Sequence, residues 1–433
     1  MVRQKGRRIA TTNGSSRETV GWRWIVKGGA SIVDQATLAG ANFVANLLLA
    51  RWLPPAQYGA FTLAYSVFLL FGTFHTSVFS EPMLVFGAGK YAQRFRRYIG
   101  LLTLGHLAVM VPICLILIGV SVLLGRVYPI EVQLALQGLA FAGPFILLLW
   151  LLKRALYVSL KPEWAALAGA SYLVLLLGSF FLLRAVKKIS PEMTFMAMGW
   201  SCLPATLLLM KRLRPQWRAV GDLRAAEVFE GHWRYSRWAV GSSILTWIPG
   251  NIYFAVLPAW AGLEGVAALR ALTNLVLPVG NAIGALSLLL VPLLSRNRAE
   301  GRKRLTRTMA VFLALFLAGA GVYYLGLIFF RGDIVRILYG GRYGEIVPLV
   351  PLVGLLAFTA GITAVFGAAL RAFERPDEVF WSYVVSSAVA FGAGIILART
   401  LAAAGALWGL LLSSTATAAM TFLFFRRFST KEE

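Results

Sequence analysis

Residues 98–124 read YIGLLTLGHLAVMVPICLILIGVSVLL, a run of apolar residues without a charged side chain. An α-helix needs about 20 such residues to cross the hydrocarbon core of a bilayer. Comparable runs recur along the chain, separated by charged or Pro- and Gly-containing breaks. The pattern predicts twelve membrane-spanning helices, near residues 28–51, 58–88, 98–124, 132–152, 163–183, 193–210, 238–260, 264–294, 307–330, 347–370, 379–399 and 403–425.

The composition also indicates a protein embedded in a membrane. The 433 residues are 58% hydrophobic and only 14% charged, and the mean hydropathy is +0.72. Soluble domains carry about 25% charged residues. The net charge of +24 would suggest a nucleic-acid partner in a soluble protein. Here the basic residues lie between the apolar runs, where membrane topology accounts for them, so nucleic-acid binding is not expected.

The distribution of basic residues predicts the orientation. With the N-terminus in the cytosol, the cytosolic segments hold 32 Lys and Arg residues and the opposite face holds nine. One of the cytosolic segments is the basic turn of Lys153, Arg154 and Lys161, and Arg270 is the basic residue that falls inside a span. The positive-inside rule therefore places both termini in the cytosol.

The same topology predicts the domain organisation. The first apolar run is too long for a cleavable signal, so we expect an uncleaved first span. The linker pattern alternates apolar and charged residues, which is typical of an amphipathic helix on a membrane surface. The predicted units are a basic tail 1–27, a six-helix bundle 28–210, a cytosolic amphipathic linker 211–237, a second six-helix bundle 238–425 and a cytosolic tail 426–433.

The two halves share a weak internal repeat. Residues 51–60 read RWLPPAQYGA and residues 259–267 read AWAGLEGVA. In both, a Trp closes an outgoing helix, a Gly-containing turn follows, and a long helix runs to a proline, Pro82 or Pro292. Secondary transporters are commonly built from such repeats, with the substrate path between them. Chance similarity between apolar helices is the alternative.

Polar side chains inside the spans are candidates for function because they are costly in lipid. We expect two polar stripes to face a hydrophilic cavity between the bundles, and hydrogen bonding between helices is the alternative for the amides. Each stripe covers one face of its helix. The stripes consist of Gln35, Asn42 and Asn46 on the first span and of Arg270, Asn274 and Asn281 on the eighth.

The charged candidates have separate expected roles. Arg270 could contact an anionic ligand, because a guanidinium binds phosphate oxygens in a bidentate manner. Snorkelling to the membrane interface is the alternative for Arg270. Asp34, on the flank of the first stripe, and Glu81 are candidates for ion coupling, although Glu81 could equally cap a broken helix before Pro82. For His106 a packing role is expected.

The sequence offers no chemistry for catalysis or metal binding. It contains no G-x-x-x-x-G-K-[ST] motif and no pairing of carboxylates, His or Ser that would suit an active site. Cys114 and Cys202 are isolated inside apolar runs, and only three His are present. We therefore expect neither a metal nor a cofactor, and no enzymatic activity.

Several short motifs resemble one family. They are VDQ at 33–35, NF at 42–43, LARWLPPAQYG at 49–59, LLLVPLLS at 288–295 and LYGGRY at 338–343. With the twelve-span plan, they resemble the polysaccharide (O-antigen and exopolysaccharide) flippases of the multidrug/oligosaccharidyl-lipid/polysaccharide (MOP) exporter superfamily. Pro54-Pro55 stands where the family more usually has Gly-Pro.

The resemblance implies an all-α, MATE-like fold of two pseudo-symmetric six-helix bundles around a central cavity that opens alternately to each side. It implies transfer of a polyprenyl-diphosphate-linked oligosaccharide across a bacterial inner membrane, in lipopolysaccharide or exopolysaccharide biosynthesis. Membrane lipids and polysaccharide polymerases or glycosyltransferases are the implied partners. A monomer is expected, because the two halves already form a complete pair of bundles.

Two other functions stay open at this stage. A cation-coupled exporter of small amphipathic drugs would share the topology, although a richer set of acids inside the membrane would favour it. A non-transporting assembly scaffold for polysaccharide enzymes is the third hypothesis.

Overall fold

The computed structural model describes residues 15–217 and 223–429, and this part of the chain is helical, without a β-strand. The α-helices are α1 (Ser15–Trp52), α2 (Pro55–His75), α3 (Glu81–Ala88), α4 (Phe95–Leu124), α5 (Ile130–Val158), α6 (Pro162–Ala185), α7 (Pro191–Leu213), α8 (Ala225–Val256), α9 (Pro258–Asn274), α10 (Leu277–Ala299), α11 (Arg302–Phe329), α12 (Arg331–Tyr339), α13 (Val350–Gly354), α14 (Leu356–Ala372), α15 (Pro376–Val389) and α16 (Ile395–Ser429). The π-helical turns Thr76–Ser80 and Ala390–Gly394 join α2 to α3 and α15 to α16, and 3-10 turns lie at Ala92–Arg94 and Gly344–Leu349.

The long apolar helices confirm a multi-pass membrane protein. In the described residues, 11 helical segments are long and apolar enough to cross a bilayer. One of them, Pro376–Phe428, has 53 residues. At 1.5 Å per residue it would be about 80 Å long, more than twice the hydrocarbon thickness. Ala402 has a φ of 52° and divides this segment, so the described residues hold the twelve spans that the sequence predicts.

Two predicted segments differ in detail. The eighth span, predicted as 264–294, is broken between α9 and α10, where Pro278 lies in the first turn of α10 and cannot donate to the preceding turn. The second part of the predicted linker 211–237 continues directly into α8, and Val228 and His232 are buried there. Residues 218–222 of the linker lie outside the described residues.

Two apolar cores hold the helices together. The larger core extends through α2, α5 and α7 and continues across α9 into the second half of the chain. A smaller core consists of side chains from α10, α11 and α14. The molecule has two ends. The Trp52 end is the one at which α1 meets α2, and the Ala88 end is the one at which α3 stops. The α10–α11–α14 core is separate from the larger core, which joins the halves through α9.

A close contact between α2 and α9 positions the two halves at the Trp52 end. A Cβ atom on Gly59 would lie 1.9 Å from the carbonyl oxygen of Leu263. No other residue has room there, because backbone rather than a flexible side chain fills the space. The chain reaches Leu263 through Gly262, whose φ of 63° suits glycine.

Proline residues leave backbone carbonyls without their usual donor inside the spans. Pro82, Pro144 and Pro249 lack the N–H that would bond to the carbonyl four residues earlier. In lipid such a carbonyl needs a partner within the protein. A neighbouring helix supplies each one: Val78 accepts from His232 Nδ1 at 2.9 Å, Ala140 from Cys114 Sγ at 3.0 Å and Leu245 from Ser387 Oγ at 3.1 Å.

Substitution of Gly59 tests the α2–α9 contact. Gly59→Ala should lower the midpoint of thermal unfolding in detergent, because the new methyl group forces the helices apart. The matched control is Gly178→Ala on α6, where a Cβ atom meets nothing within 4 Å. That control should keep or raise the midpoint, since Ala favours a helix by about 1 kcal/mol over Gly. Equal shifts in both variants would contradict the packing described.

A double-mutant cycle tests the carbonyl pairing at Pro249. Ser387→Ala should destabilise the protein by about 1–3 kcal/mol, because it leaves the buried carbonyl of Leu245 unpaired. In a Pro249→Ala background the same substitution should cost close to nothing, because residue 249 then supplies the helical N–H. Unfolding free energies of the four variants measure this difference. An equal cost in both backgrounds would show that Ser387 does not serve this carbonyl.

Candidate functional site

One residue from each predicted polar stripe, Asn46 and Arg270, meets the other across the halves of the molecule. Arg270 on α9 donates from Nε to Oδ1 of Asn46 on α1 at 3.1 Å. The guanidinium carbon also lies 5.5 Å from the ring centre of Tyr65 and 5.8 Å from that of Phe254. These distances are within the range of cation–π attraction. Asn46 is buried and donates its own amide to the carbonyl of Asn42 at 2.8 Å.

A second polar contact joins α9 to α2. Asn274 on α9 donates from Nδ2 to the hydroxyl of Tyr58 on α2 at 2.9 Å, and both side chains are buried. Tyr339 donates to the carbonyl of Ala271 at 2.7 Å, and Arg342 donates to the carbonyl of Leu53. Asn274 and Arg342 therefore bond to the first half, and Tyr339 holds α12 against α9, so these contacts join the halves at the Trp52 end.

These contacts help to choose between the alternative roles expected of Arg270, Asn46 and Asn274. Arg270 is half-buried and bonded across the halves, so it does not extend freely to the membrane interface. Asn46 and Asn274 bond between helices, which was the alternative interpretation for the amides. Oδ1 of Asn274 has no hydrogen-bond partner within the described residues, although it is buried. A role for these three residues in binding a substrate stays a prediction.

Asp34 forms a buried ion pair that the sequence did not predict. Its Oδ1 lies 2.6 Å from Nζ of Lys153, and its Oδ2 accepts a hydrogen bond from Tyr157 at 2.7 Å. Asp34 and Lys153 are 1% and 6% exposed. The assignment of Lys153 to a cytosolic basic turn was therefore wrong. The helix of the fourth span continues past residue 152 to Val158 as α5, so Lys153 lies inside the bundle with Asp34 as its counter-ion.

A glycine on α6 makes room for this ion pair. A Cβ atom on Gly169 would lie 2.9 Å from Oδ1 of Asp34 and 3.2 Å from Nζ of Lys153. Beside the pair is a cavity of about 170 Å³, open on one side. Its lining consists of Asp34, Gln35, Thr76, Ser80, Trp150, Lys153, Arg154 and Tyr157.

The other predicted site residues lie apart from the two polar contacts. Gln35 is exposed at the cavity beside Asp34. Asn281 is exposed on α10, beyond the break that separates α10 from α9. Glu81 is half-buried at the start of α3 and interacts electrostatically with Arg154. The coupling roles expected of Asp34 and Glu81 stay predictions.

A histidine pair is a further contact that the sequence reasoning missed. His106 Nε2 lies 3.1 Å from the carbonyl of Pro144, and its Nδ1 lies 2.9 Å from Nε2 of His75. With a donating Nε2, His106 can only accept at Nδ1 when neutral, so His75 donates from Nε2. The packing role expected for His106 therefore includes a buried side-chain partner on α2. Spacing along one helix gives no signal for a partner on another.

No protein-family model matches the chain, and no curated protein matches it. Solved structures do share its fold. It is similar to an inward-facing multidrug resistance MATE family transporter of the MOP superfamily, with a TM-score of 0.75, 14% identity and coverage of 92% of this chain and 98% of that one. It is also similar to the lipid II flippase MurJ in an inward closed conformation, with a TM-score of 0.76, 14% identity and coverage of 94% and 87%.

A third solved structure with this fold is a MOP superfamily transporter from Pyrococcus furiosus, described for the reverse polarity of its binding pocket. Its TM-score is 0.66, its identity 13%, and the match covers 93% of this chain and 96% of that one. The chain therefore has the all-α, MATE-like fold that the sequence motifs implied. At these identities the comparisons establish the fold. They do not distinguish a polysaccharide flippase from other transporters that share this fold.

Removal of the Arg270 contact should loosen the Trp52 end. Arg270→Ala should raise the rate at which a thiol reagent labels a cysteine placed at Ala50, which is fully buried, in a background with Cys114 and Cys202 replaced by Ser. Loss of a contact of about 1.4 kcal/mol would raise the open population, and hence the rate, about tenfold. The exposed Asn281→Ala is the control and should leave the rate unchanged. An unaltered rate in Arg270→Ala would refute a sealing role.

Proposed function

We propose that the protein is a flippase that moves a polyprenyl-diphosphate-linked oligosaccharide across a bacterial inner membrane by alternating access, in the biosynthesis of a surface polysaccharide. The observation that carries the proposal is the charge of the interior between the halves. Arg270 supplies a cation there, whereas the charge of the buried Asp34 is already balanced by Lys153. An interior of this kind suits an anionic substrate group.

The second candidate function is cation-coupled export of small amphipathic drugs, and the shared fold keeps it in consideration. A cationic drug would need an available carboxylate at depth. Asp34 is bonded to both Lys153 and Tyr157, so a drug cation would have to displace an internal ammonium group. This competition favours the flippase over the drug exporter, because a diphosphate meets no equivalent barrier at Arg270.

Alternating access is supported by the asymmetry of the two ends. At the Trp52 end the halves are joined by Gly59 against Leu263 and by the Tyr58–Asn274 hydrogen bond. Toward the Ala88 end, α8 bonds to the first half through His232 and Tyr98, whereas α10, α11 and α14 pack around a core of their own. We assign the Ala88 end to the cytosol, with both chain termini, as the basic residues predict.

The partners belong to the same proposal. The Ala88 end presents exposed basic side chains around the α10–α11 turn, where anionic lipid headgroups would be attracted. These are Arg296, Arg302, Lys303 and Arg304. A polysaccharide polymerase or glycosyltransferase would supply or consume the lipid-linked sugar, and the flippase itself would act as a monomer with no cofactor.

Reconstitution in liposomes tests the function. The assay follows a fluorescent polyprenyl-diphosphate sugar as it becomes inaccessible in one leaflet and accessible in the other. Wild-type protein should move the lipid, and Arg270→Ala should reduce the initial rate at least tenfold, since the anion loses its cation at the closed end. Arg126→Ala, an exposed charge in the turn after α4, is the matched control and should retain activity.

The same liposomes distinguish the alternatives. Gradient-driven efflux of a cationic dye, without movement of any lipid-linked sugar, would replace the flippase by the drug exporter. Absence of both activities from well-folded protein would favour the assembly scaffold.

A further inference from the structure

The Lys153–Asp34 pair lies where a ligand can reach it. The cavity beside it is lined by two basic groups, Lys153 and Arg154, and Arg154 is exposed. Arg270, in contrast, is bonded to Asn46 within the closed Trp52 end. A substrate entering from the Ala88 end would therefore meet the Lys153 cavity before Arg270 becomes available.

The size and lining of the cavity fit a phosphoryl group. A volume of about 170 Å³ corresponds to roughly five or six waters at about 30 Å³ each. Hydroxyl groups of Thr76, Ser80 and Tyr157 and the amide of Gln35 line it beside the two cations. Ammonium, guanidinium and hydroxyl groups are the donors that phosphate oxygens accept from.

The obstacle to an anion in this cavity is the carboxylate of Asp34. A phosphoryl group on Lys153 would lie next to a buried negative charge, and two like charges at such a distance cannot both stay ionised cheaply. Protonation of Asp34 removes the obstacle, because the neutral carboxyl group no longer competes for Lys153. The cavity can then hold either the ionised Asp34 or an anion together with a proton.

The other titratable groups around the Lys153–Asp34 pair do not offer a different site for the proton. From α3, Glu81 interacts electrostatically with Arg154, and from α7 the Cys202 thiol interacts electrostatically with Lys153. From α6 the neighbour is Gly169, which carries no charge. Tyr157 donates to Asp34 and is neutral at physiological pH. Asp34 is the group in contact with Lys153 that can gain a proton and lose a charge.

We propose that Lys153 and Arg154 form a phosphoryl-binding subsite whose occupation is linked to uptake of one proton by Asp34. The subsite deepens the proposed flippase function, since a diphosphate is the charged group of its substrate. Lys153 is then both the internal counter-ion of Asp34 in the empty protein and the anion contact in the loaded one.

Calorimetric binding to purified protein tests the subsite without any transport. The probe is methyl phosphate, a dianion above about pH 7 because its second pKa is near 6. Between pH 7.5 and 8.5 the wild-type affinity should fall up to tenfold, as linkage to one proton requires. Titrations in buffers of different ionisation enthalpy should show uptake of about one proton per anion bound.

Two neutral variants isolate the roles of the pair. Asp34→Asn should bind the anion at least tenfold more tightly than wild type at pH 8.5, with no proton uptake and no pH dependence. Asp34→Asn combined with Lys153→Met leaves no buried charge unpaired, so it should fold, and it should lose the binding. Equal affinity of the wild type and Asp34→Asn, or proton-independent binding by the wild type, would overturn the proposal.

A second arm separates the two sources of a phosphoryl group. Geranyl diphosphate, which carries a short isoprenyl chain, should bind more tightly than methyl phosphate if the subsite serves a lipid headgroup. Equal affinities would assign it to free phosphate esters and overturn the link to a lipid substrate. Failure of lipid transport with this binding intact would reject the flippase and keep the subsite, so the two proposals fail separately.

Discussion

The buried contact between α2 and α9 holds the two halves of the molecule in one arrangement. Gly59 brings the α2 backbone against the carbonyl of Leu263, and at this separation Tyr58 reaches Asn274. Polar side chains are costly in a membrane, so each of these bonds is hard to break without a replacement partner. In the proposed alternating-access cycle, these contacts at the Trp52 end have to be exchanged for others when that end opens.

The same need for internal partners explains features that look unrelated. Proline residues interrupt the helical bonding inside the spans, and His232 and Ser387 complete it from neighbouring helices. The π-turn at Thr76–Ser80 lies where Pro82 disturbs α2, and it also brings Thr76 and Ser80 into the lining of the Lys153 cavity. Helix irregularity thus produces a polar cavity in a chain of mostly apolar helices.

The sequence predicted the fold better than the site. Hydropathy gave twelve spans because an apolar run of fixed length is a local property, and the helical period placed Asn46 and Arg270 on stripes that meet. The partners of Asp34 were missed because an ion pair between α1 and α5 depends on helix packing. Lys153 follows an apolar run directly, so a positive-inside count assigned it to a loop, whereas the helix continues to Val158.

Distances between the halves, measured at both ends by spin-label spectroscopy, test alternating access most directly. One label pair replaces Arg126 and Arg331 at the Trp52 end, and the other replaces Lys161 and Lys303 at the Ala88 end. If the account is correct, a lipid-linked diphosphate sugar lengthens the first distance and shortens the second. The account of alternating access would be contradicted if both distances stayed unchanged or if both changed in the same direction.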